Sequence, residues 1–178
     1  IHWPYGDFLG TWKALEELYK EGKIKAIGVC NFTIEKLEEL KANSTVLPVI
    51  NQIELHPVFQ QKELQVYDRE NNIITQPWSP LGNGNAQLLS NPDLKAIAEK
   101  YGKTVAQVIL RWHLQEGFVV IPKSVTPSRI EENFNVFDFE LTEDEMNVVR
   151  SLDKGKRLFF DPKDPEWEQK MLNSVADI

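Results

Sequence analysis

The residues best suited to chemistry lie in the segment 121–133, which reads IPKSVTPSRIEEN. Thr126 is a residue type that begins helices, and Pro127 suits the first helical position. The N-terminus of such a helix presents backbone amides without intrahelical partners, and Lys123 and Arg129 flank it. Two cations beside a helix N-terminus predict an anion site, and phosphate is the anion that suits it best.

The same segment predicts a polar helical face next to this anion site. Arg129, Glu132 and Asn133 have the spacing i, i+3 and i+4, so a helix places them side by side. The plainer alternative is a solvated surface helix with no ligand.

Short apolar runs along the chain end repeatedly in polar or aromatic residues. In chain order, the five groups are His2 with Trp3; Cys30 with Asn31; Asn51 with Gln52 and Glu54; Trp78 with Ser79; and Lys123 with Ser124. In a parallel barrel the C-terminal ends of the strands face the active site, so these side chains are expected to meet there. Taken singly, His2 could be a core histidine and Trp78 a packing residue. Asn51 and Gln52 could simply satisfy backbone groups at the rim of a barrel.

The elements that must position these residues alternate between short apolar runs and amphipathic helical patterns, which is typical of βα units. Strands are predicted near residues 1–3, 23–29, 49–53, 73–78 and 118–121. Helices are predicted between Pro4 and Gly22, from Thr33, over about 62–70, 92–101 and 104–115, and after Thr126 and Thr142. The tail from about Asp153 is predicted to be mostly loop.

Several helices carry more specific signals. In the first one, the buried face is expected to hold Trp12, Leu15, Leu18 and Tyr19. The helix from Thr104 has a buried stripe at i, i+3, i+4 and i+7, formed by Val105, Val108, Ile109 and Trp112. Capping boxes are predicted for the pairs Thr104 with Gln107 and Thr142 with Glu145.

The fold class that this alternation favours is α/β, and specifically the (β/α)8 TIM barrel. A doubly wound sheet usually has a glycine-rich turn after its first strand, and no G-x-G-x-x-G occurs here. A closed barrel needs eight strands and roughly 250 residues. With about five strands, residues 1–178 are expected to be the C-terminal portion of one barrel domain, with a polar tail from about 153. Unpaired strand edges predict that these residues alone aggregate, pair with another copy or need the missing segment.

Composition excludes several classes of function. The chain of 178 residues has 20 basic and 27 acidic side chains, so its formal net charge is −7. Bulk charge of this sign disfavours binding to nucleic acids or anionic membranes. The single cysteine, Cys30, excludes an internal disulfide and a multi-cysteine zinc site and suits the cytosol, and no metal site is predicted. No run of about 18 apolar residues could span a membrane.

Five motifs in order give the sequence a close resemblance to the aldo-keto reductases, in particular to the bacterial 2,5-diketo-D-gluconate reductase-like and prostaglandin F synthase-like group. They lie at residues 1–4, 22–32, 51–57, 78–82, and 121–124 together with Arg129, Glu132 and Asn133. The resemblance extends to about residue 152. It implies NADPH-dependent reduction of an aldehyde or ketone to an alcohol on an eight-stranded barrel.

The resemblance also implies the roles of individual residues. His2 would orient the substrate carbonyl, and Trp3 would contact the substrate. The cofactor-binding positions would be Cys30, Asn31, Gln52, Trp78, Ser79, Leu81, Lys123, Ser124, Arg129, Glu132 and Asn133. Among them, Asn31 and Gln52 would hold the nicotinamide carboxamide and Trp78 would stack on its ring. Ser79 and Leu81 would face the pyrophosphate.

At the other end of the cofactor, the resemblance implies that Lys123, Ser124 and Arg129 clamp the 2′-phosphate. Glu132 and Asn133 would contact the adenine. NADPH would be preferred over NADH, the substrate would be a small carbonyl or dicarbonyl compound, and the whole protein would be a cytoplasmic monomer.

The sequence departs from the family pattern in three places. Trp78 stands where many relatives have tyrosine, although its larger π-face should still stack. Cys30 stands where the family commonly has serine, and a thiol is a weaker hydrogen-bonding group. The catalytic Asp, Tyr and Lys are expected to be missing from this chain, because its tyrosines at positions 5, 19, 67 and 101 do not stand in their motif. One alternative is therefore a non-catalytic nucleotide-binding relative with a regulatory or structural role. Another is a flavodoxin-like module, although no flavin-phosphate loop is present.

Overall fold

A computed structural model describes residues 1–176 of the chain. The helices are α1 (Phe8–Lys20), α2 (Ile34–Asn43), α3 (Lys62–Glu70), α4 (Ala86–Leu89), α5 (Pro92–Tyr101), α6 (Val105–Gln115), α7 (Pro127–Phe134), α8 (Glu143–Ser151) and α9 (Pro165–Ala176). The strands are β1 (Val29–Cys30), β2 (Ile50–Glu54) and β3 (Ile74–Trp78), and a 3₁₀ turn covers Gly82–Gly84. Within residues 1–176, no helix is both long enough and apolar enough to cross a membrane.

The three strands form one sheet in the order β1-β2-β3. β1 and β2 are parallel, with Val29 opposite Asn51 and Cys30 opposite Gln52. β3 also runs parallel to β2. The amide of Ile74 donates to the carbonyl of Val49 (2.9 Å), and the amide of Leu55 donates to that of Trp78 (3.4 Å). Parallel strands joined by α2 and α3 are the βα units that the sequence predicts.

The chain divides into two compact units. The first comprises residues 1–53, 62–75 and the stretch from 159 onward, and the second comprises 54–61 and 76–158. The expectation of one barrel domain over residues 1–178 stays a prediction.

In the first unit, α1 buries one face through Phe8, Trp12 and Glu16. The prediction for this face was wrong at two positions, since Leu18 and Tyr19 are 37% and 40% exposed. A carboxylate takes the buried position because loop amides satisfy it. Glu16 Oε1 accepts hydrogen bonds from the backbone amides of Thr45 (2.7 Å) and Val46 (2.6 Å). A buried carboxylate without such donors would be strongly destabilising.

The core of the second unit forms around α5 and α6. The stripe predicted on α6 is buried at Val108, Ile109 and Trp112. The capping box of Thr104 and Gln107 begins this helix, and the box of Thr142 and Glu145 begins α8, so both predictions are confirmed. Reciprocal caps satisfy the first amides of each helix, which fixes where it starts.

Two of the five predicted strands, at residues 1–3 and 118–121, were wrong, because a strand requires repeated ladder bonds to a neighbour. Ile1 makes two such bonds to the β1 segment, but the carbonyl of His2 accepts from the side chain of Asn31 instead. The amide of Phe118 closes the C-terminus of α6 by donating to the carbonyl of His113 (3.0 Å). The strand predicted over 23–29 is reduced to Val29–Cys30.

The prediction of a mostly irregular tail was also wrong, because residues Pro165–Ala176 form α9 in the first unit. Aromatic side chains hold this segment. Phe160 stacks on Trp167 with ring centroids 3.8 Å apart, and Trp3 packs against both rings edge-on. The hydroxyl of Tyr5 donates to the carbonyl of Pro162 (3.2 Å). Contacts between residues about 160 positions apart are invisible to local sequence patterns.

Candidate functional site

A cleft of about 600 Å³ opens in the second unit between the 79–85 loop and the segment 121–133. The residues that line it include seven of those expected to bind a nucleotide: Ser79, Leu81, Lys123, Ser124, Arg129, Glu132 and Asn133. Ser79 directly follows β3, and Arg129 lies in the first turn of α7. The end of a strand and the beginning of a helix therefore supply opposite walls of the cleft. We call it the 79/129 cleft.

The turn that leads into α7 is organised by Ser124. Its Oγ accepts a hydrogen bond from the amide of Thr126 (3.1 Å). Thr126 precedes α7 as predicted, but its side chain makes no capping hydrogen bond. Pro127 has no N–H, and the amide of Arg129 donates to the carbonyl of Thr126 (3.0 Å). The amide of Ser128 is therefore the donor that the first turn offers to an anion, with the positive charges of Lys123 and Arg129 nearby.

Helix α7 is held from one side and exposed on the other. Glu132 Oε1 accepts from the hydroxyl of Thr104 (2.6 Å), and Gln107 Nε2 donates to the carbonyl of Glu132 (3.1 Å). Phe134 is 74% exposed, and no residue of α7 is fully buried. This exposure agrees with the alternative of a solvated surface helix. The face that carries Arg129, Glu132 and Asn133, however, lines the 79/129 cleft.

The 79–85 loop has an unusual backbone. Ser79 and Asn83 have φ angles of 50° and 55°, and Gly82 has a φ angle of 60°. Glycine is favoured at position 82 for a second reason, because a Cβ atom would lie 3.3 Å from side-chain carbons of Leu158 and Leu88, which would have to shift slightly. Non-glycine residues in this region of conformational space are strained and persist only where the surroundings hold them. The loop is thus set in one shape by its neighbours.

Other predicted residues meet in the first unit, where β1 and β2 end. Asn31, with a φ angle of 61°, donates its backbone amide to the carbonyl of Gln52 (2.9 Å). Its side-chain Nδ2 donates to the carbonyl of His2 (3.2 Å). The thiol of Cys30 lies 3.8 Å from Gln52 Oε1, and burial raises the pKa of this thiol, which keeps its proton on sulfur. Cys30 therefore orients the amide of Gln52.

His2 and Trp3 lie next to this group. The side chain of His2 is exposed, so the alternative of a core histidine is wrong. Its ring centroid is 5.4 Å from that of Trp3, which stacks on Tyr5. An exposed imidazole can donate to the carbonyl oxygen of a ligand. Trp3 also contacts Phe160 and Trp167, two aromatics whose role was not predicted and whose only sequence signal is their isolation in a polar tail.

Trp78 is half-buried in the second unit at the end of β3, and its stacking role stays a prediction. At the end of β2, Glu54 is fully buried and ion-paired with Arg157 (3.2 Å). Its other carboxylate oxygen accepts from the amide of Leu158 (2.7 Å). The ring nitrogen Nε2 of His56, two positions along the chain, lies 3.2 Å from the same oxygen. Glu54 was noted as a polar strand end, but Arg157 and Leu158 lie more than 100 positions away and carry no sequence signal.

Comparison with known proteins places this geometry in a family. The model of the aldo/keto reductase family matches residues 1–154. Methylglyoxal reductase DkgA of Escherichia coli (strain K12) is 51% identical over 165 residues, which cover 91% of this chain and 60% of that protein. The 9,11-endoperoxide prostaglandin H2 reductase of Trypanosoma cruzi is 50% identical over 164 residues, covering 91% and 58%.

Solved structures give the same result. The crystal structure of a Gox0644 mutant in complex with NADPH superposes with a TM-score of 0.87 at 49% identity, covering 91% of this chain and 60% of that one. The chain thus spans about 60% of the length of these relatives. With a family model that matches most of its residues and relatives at half identity, the chain belongs to the aldo/keto reductase family.

Proposed function

We propose that this chain carries the nucleotide site of a protein that reduces an aldehyde or ketone to an alcohol with NADPH. The observation that carries the proposal is the 79/129 cleft, which gathers seven expected nucleotide-binding residues from two distant segments. The relative DkgA reduces methylglyoxal, and Gox0644 binds NADPH. A small carbonyl or dicarbonyl compound is therefore the proposed substrate.

The residues of the cleft fit a phosphorylated nucleotide. Lys123 and Arg129 supply positive charge, and the amide of Ser128 in the first turn of α7 supplies a donor. Asn133 offers both a donor and an acceptor to a base. We assign the 2′-phosphate to Lys123, Ser124 and Arg129, the pyrophosphate to Ser79 and Leu81, and the adenine to Glu132 and Asn133. When bound, NADPH would supply the hydride for the reduction.

Residues of the first unit are proposed to hold the amide and carbonyl groups of the ligands. The backbone bond between Asn31 and Gln52 places the two residues side by side, and their amide side chains are proposed to bind a carboxamide. His2 is the proposed donor to the substrate carbonyl because its imidazole is exposed. Trp3, whose ring stacks on that of Tyr5, is proposed to contact the substrate.

The family resemblance implies a tyrosine that protonates the carbonyl oxygen, and two tyrosines with raised pKa values are poor candidates. The hydroxyl of Tyr67 donates to Glu38, and burial and that carboxylate raise its pKa. The hydroxyl of Tyr101 donates to Glu145 (2.7 Å), and burial and Glu145 likewise raise its pKa. A phenol with a raised pKa is a weaker general acid.

Because Tyr67 and Tyr101 are both bound to carboxylates, we propose that this chain by itself binds the nucleotide without turnover at ordinary rates. One experiment tests both parts of the proposal. The chain is titrated with NADPH and then assayed with NADPH and methylglyoxal. We expect binding with a rate about 100- to 10,000-fold below that of an enzyme with its general acid. Turnover at ordinary enzyme rates would refute the argument about the tyrosines, whereas absence of NADPH binding would refute the proposed nucleotide site.

A further inference from the structure

A buried histidine lies directly beneath the loop to which the proposed function assigns the pyrophosphate. His113, on α6, is fully buried, and its Nε2 lies 3.1 Å from the carbonyl oxygen of Pro80 in the 79–85 loop. The ring is held between aromatic neighbours, with centroids 4.5 Å from Trp112 and 6.0 Å from Phe118. None of the roles proposed above uses this side chain.

The chemistry of the contact fixes the protonation of the ring. A carbonyl oxygen only accepts hydrogen bonds, so Nε2 must carry the proton. Nδ1 is buried and has no hydrogen-bond partner among the described residues, which agrees with a bare nitrogen there. Burial lowers the pKa of His113 to about 3, so the ring is neutral at physiological pH. The imidazole therefore acts as a permanent donor to the loop.

The internal bonds of the loop are short-range. The amides of Gly82, Gly84 and Asn85 donate to the carbonyls three positions earlier, at 2.8, 3.3 and 3.1 Å. These bonds hold two non-glycine residues at positive φ, Ser79 and Asn83, but they do not tie the loop to the rest of the unit. At the carbonyl of Pro80, a side chain from α6 binds the loop backbone.

We propose that His113 is a positioning residue that holds the 79–85 loop in the shape that binds the pyrophosphate of the dinucleotide. This inference rests on the proposed function of the 79/129 cleft. His113 acts through the backbone of Pro80 and not by touching the ligand. A loop that occupies its binding shape a tenth of the time binds about tenfold more weakly.

The test compares two ligands in three variants of the chain. NADPH contains the pyrophosphate, whereas adenosine 2′,5′-bisphosphate keeps the adenine and 2′-phosphate without it. In His113→Leu, which removes the donor, we expect NADPH to bind about tenfold more weakly and the bisphosphate to change less than twofold. His113→Gln, whose Nε2 can donate at the same place, should restore most of the NADPH affinity.

Gln60→Leu is the matched control. Gln60 is also buried, and its Nε2 donates to the carbonyl of Pro57 (2.8 Å), outside the loop. The Gln60→Leu variant should have a lower free energy of unfolding, and its affinities for NADPH and for the bisphosphate should not differ in their change. Equal weakening of both ligands in His113→Leu, or no weakening, would overturn the proposal.

Two measurements without any ligand test whether His113 donates to Pro80 and holds the 79–85 loop. A ¹⁵N-detected spectrum of the histidine rings should show His113 as the neutral Nε2–H tautomer, and an Nδ1–H tautomer would refute the contact. Hydrogen exchange at the amides of Gly82 and Asn85 should accelerate in His113→Leu and not in Gln60→Leu. If the unmodified chain does not bind NADPH, the proposed function fails, and the exchange result still shows whether His113 holds the loop.

Discussion

Arg129 is the residue at which the 79/129 cleft can be tested most sharply. It lies in the first turn of α7 and lines the cleft together with Lys123. NADPH differs from NADH only in the 2′-phosphate, so a cation that contacts this group must discriminate between them. Arg129→Ala should therefore weaken NADPH binding and leave NADH binding nearly unchanged.

The size of the effect follows from the exposure of the site. A hydrogen bond between charged groups contributes about 1.5–3 kcal/mol. Arg129 is exposed, so screening by salt places its contribution at the lower end of that range. About 1.4 kcal/mol corresponds to a tenfold change in affinity. We expect a tenfold loss for NADPH at physiological salt and a smaller loss as the salt concentration rises.

The assay is a pair of titrations that follow quenching of tryptophan fluorescence by NADPH and by NADH. Lys95→Ala, which removes an exposed cation of α5 that does not line the cleft, serves as the control. If both cofactors weaken equally in Arg129→Ala, the side chain supports the fold and the assignment of the phosphate clamp is refuted.

Three further predictions concern stability and association. Burial raises the pKa of Asp68 to about 7, so the folded state favours the protonated acid, and the free energy of unfolding falls by about 3 kcal/mol as pH rises from 4 to 7; urea titrations of Asp68→Asn should lack this slope, and an unchanged slope would contradict it. Arg157→Ala should lower the free energy of unfolding by about 2 kcal/mol because it removes the arginine from the buried Glu54, which keeps its contacts with the amide of Leu158 and the ring of His56; a loss below 1 kcal/mol would mean that the pair is dispensable. Phe134 and Phe137 are 74% and 66% exposed, so light scattering should show association that Phe134→Ser with Phe137→Ser reduces; a monomer at high concentration would refute this.

Local chemistry in the sequence predicted much of the helical structure. Thr104 and Gln107 form their capping box, and α7 begins after Thr126 as expected. The local pattern of cations beside a helix N-terminus also indicated Lys123 and Arg129, whereas Ser79 and Leu81 were named from the family resemblance alone. What local pattern could not predict was the burial of Glu16, which depends on amides supplied by a loop about 30 positions away.

The errors share one physical cause, namely contacts between residues far apart in sequence. The apolar run 118–121 has the composition of a strand, but a strand also needs a neighbour that continues its ladder. Helix α9 has weak local signals and is held by the stacking of Trp167 on Phe160 and by Trp3. The support of Pro80 by His113 joins positions 33 apart and was equally invisible.

The central claim, that the 79/129 cleft binds the phosphorylated adenosine end of NADPH, is tested most directly by chemical-shift mapping. The ¹⁵N-labelled chain is titrated with adenosine 2′,5′-bisphosphate while its backbone amide resonances are followed. We predict that the largest shifts lie within residues 122–133, with Lys123 and Arg129 among them, and that they saturate as for a single site. Shifts that are absent, unsaturable or centred outside the cleft would contradict the account.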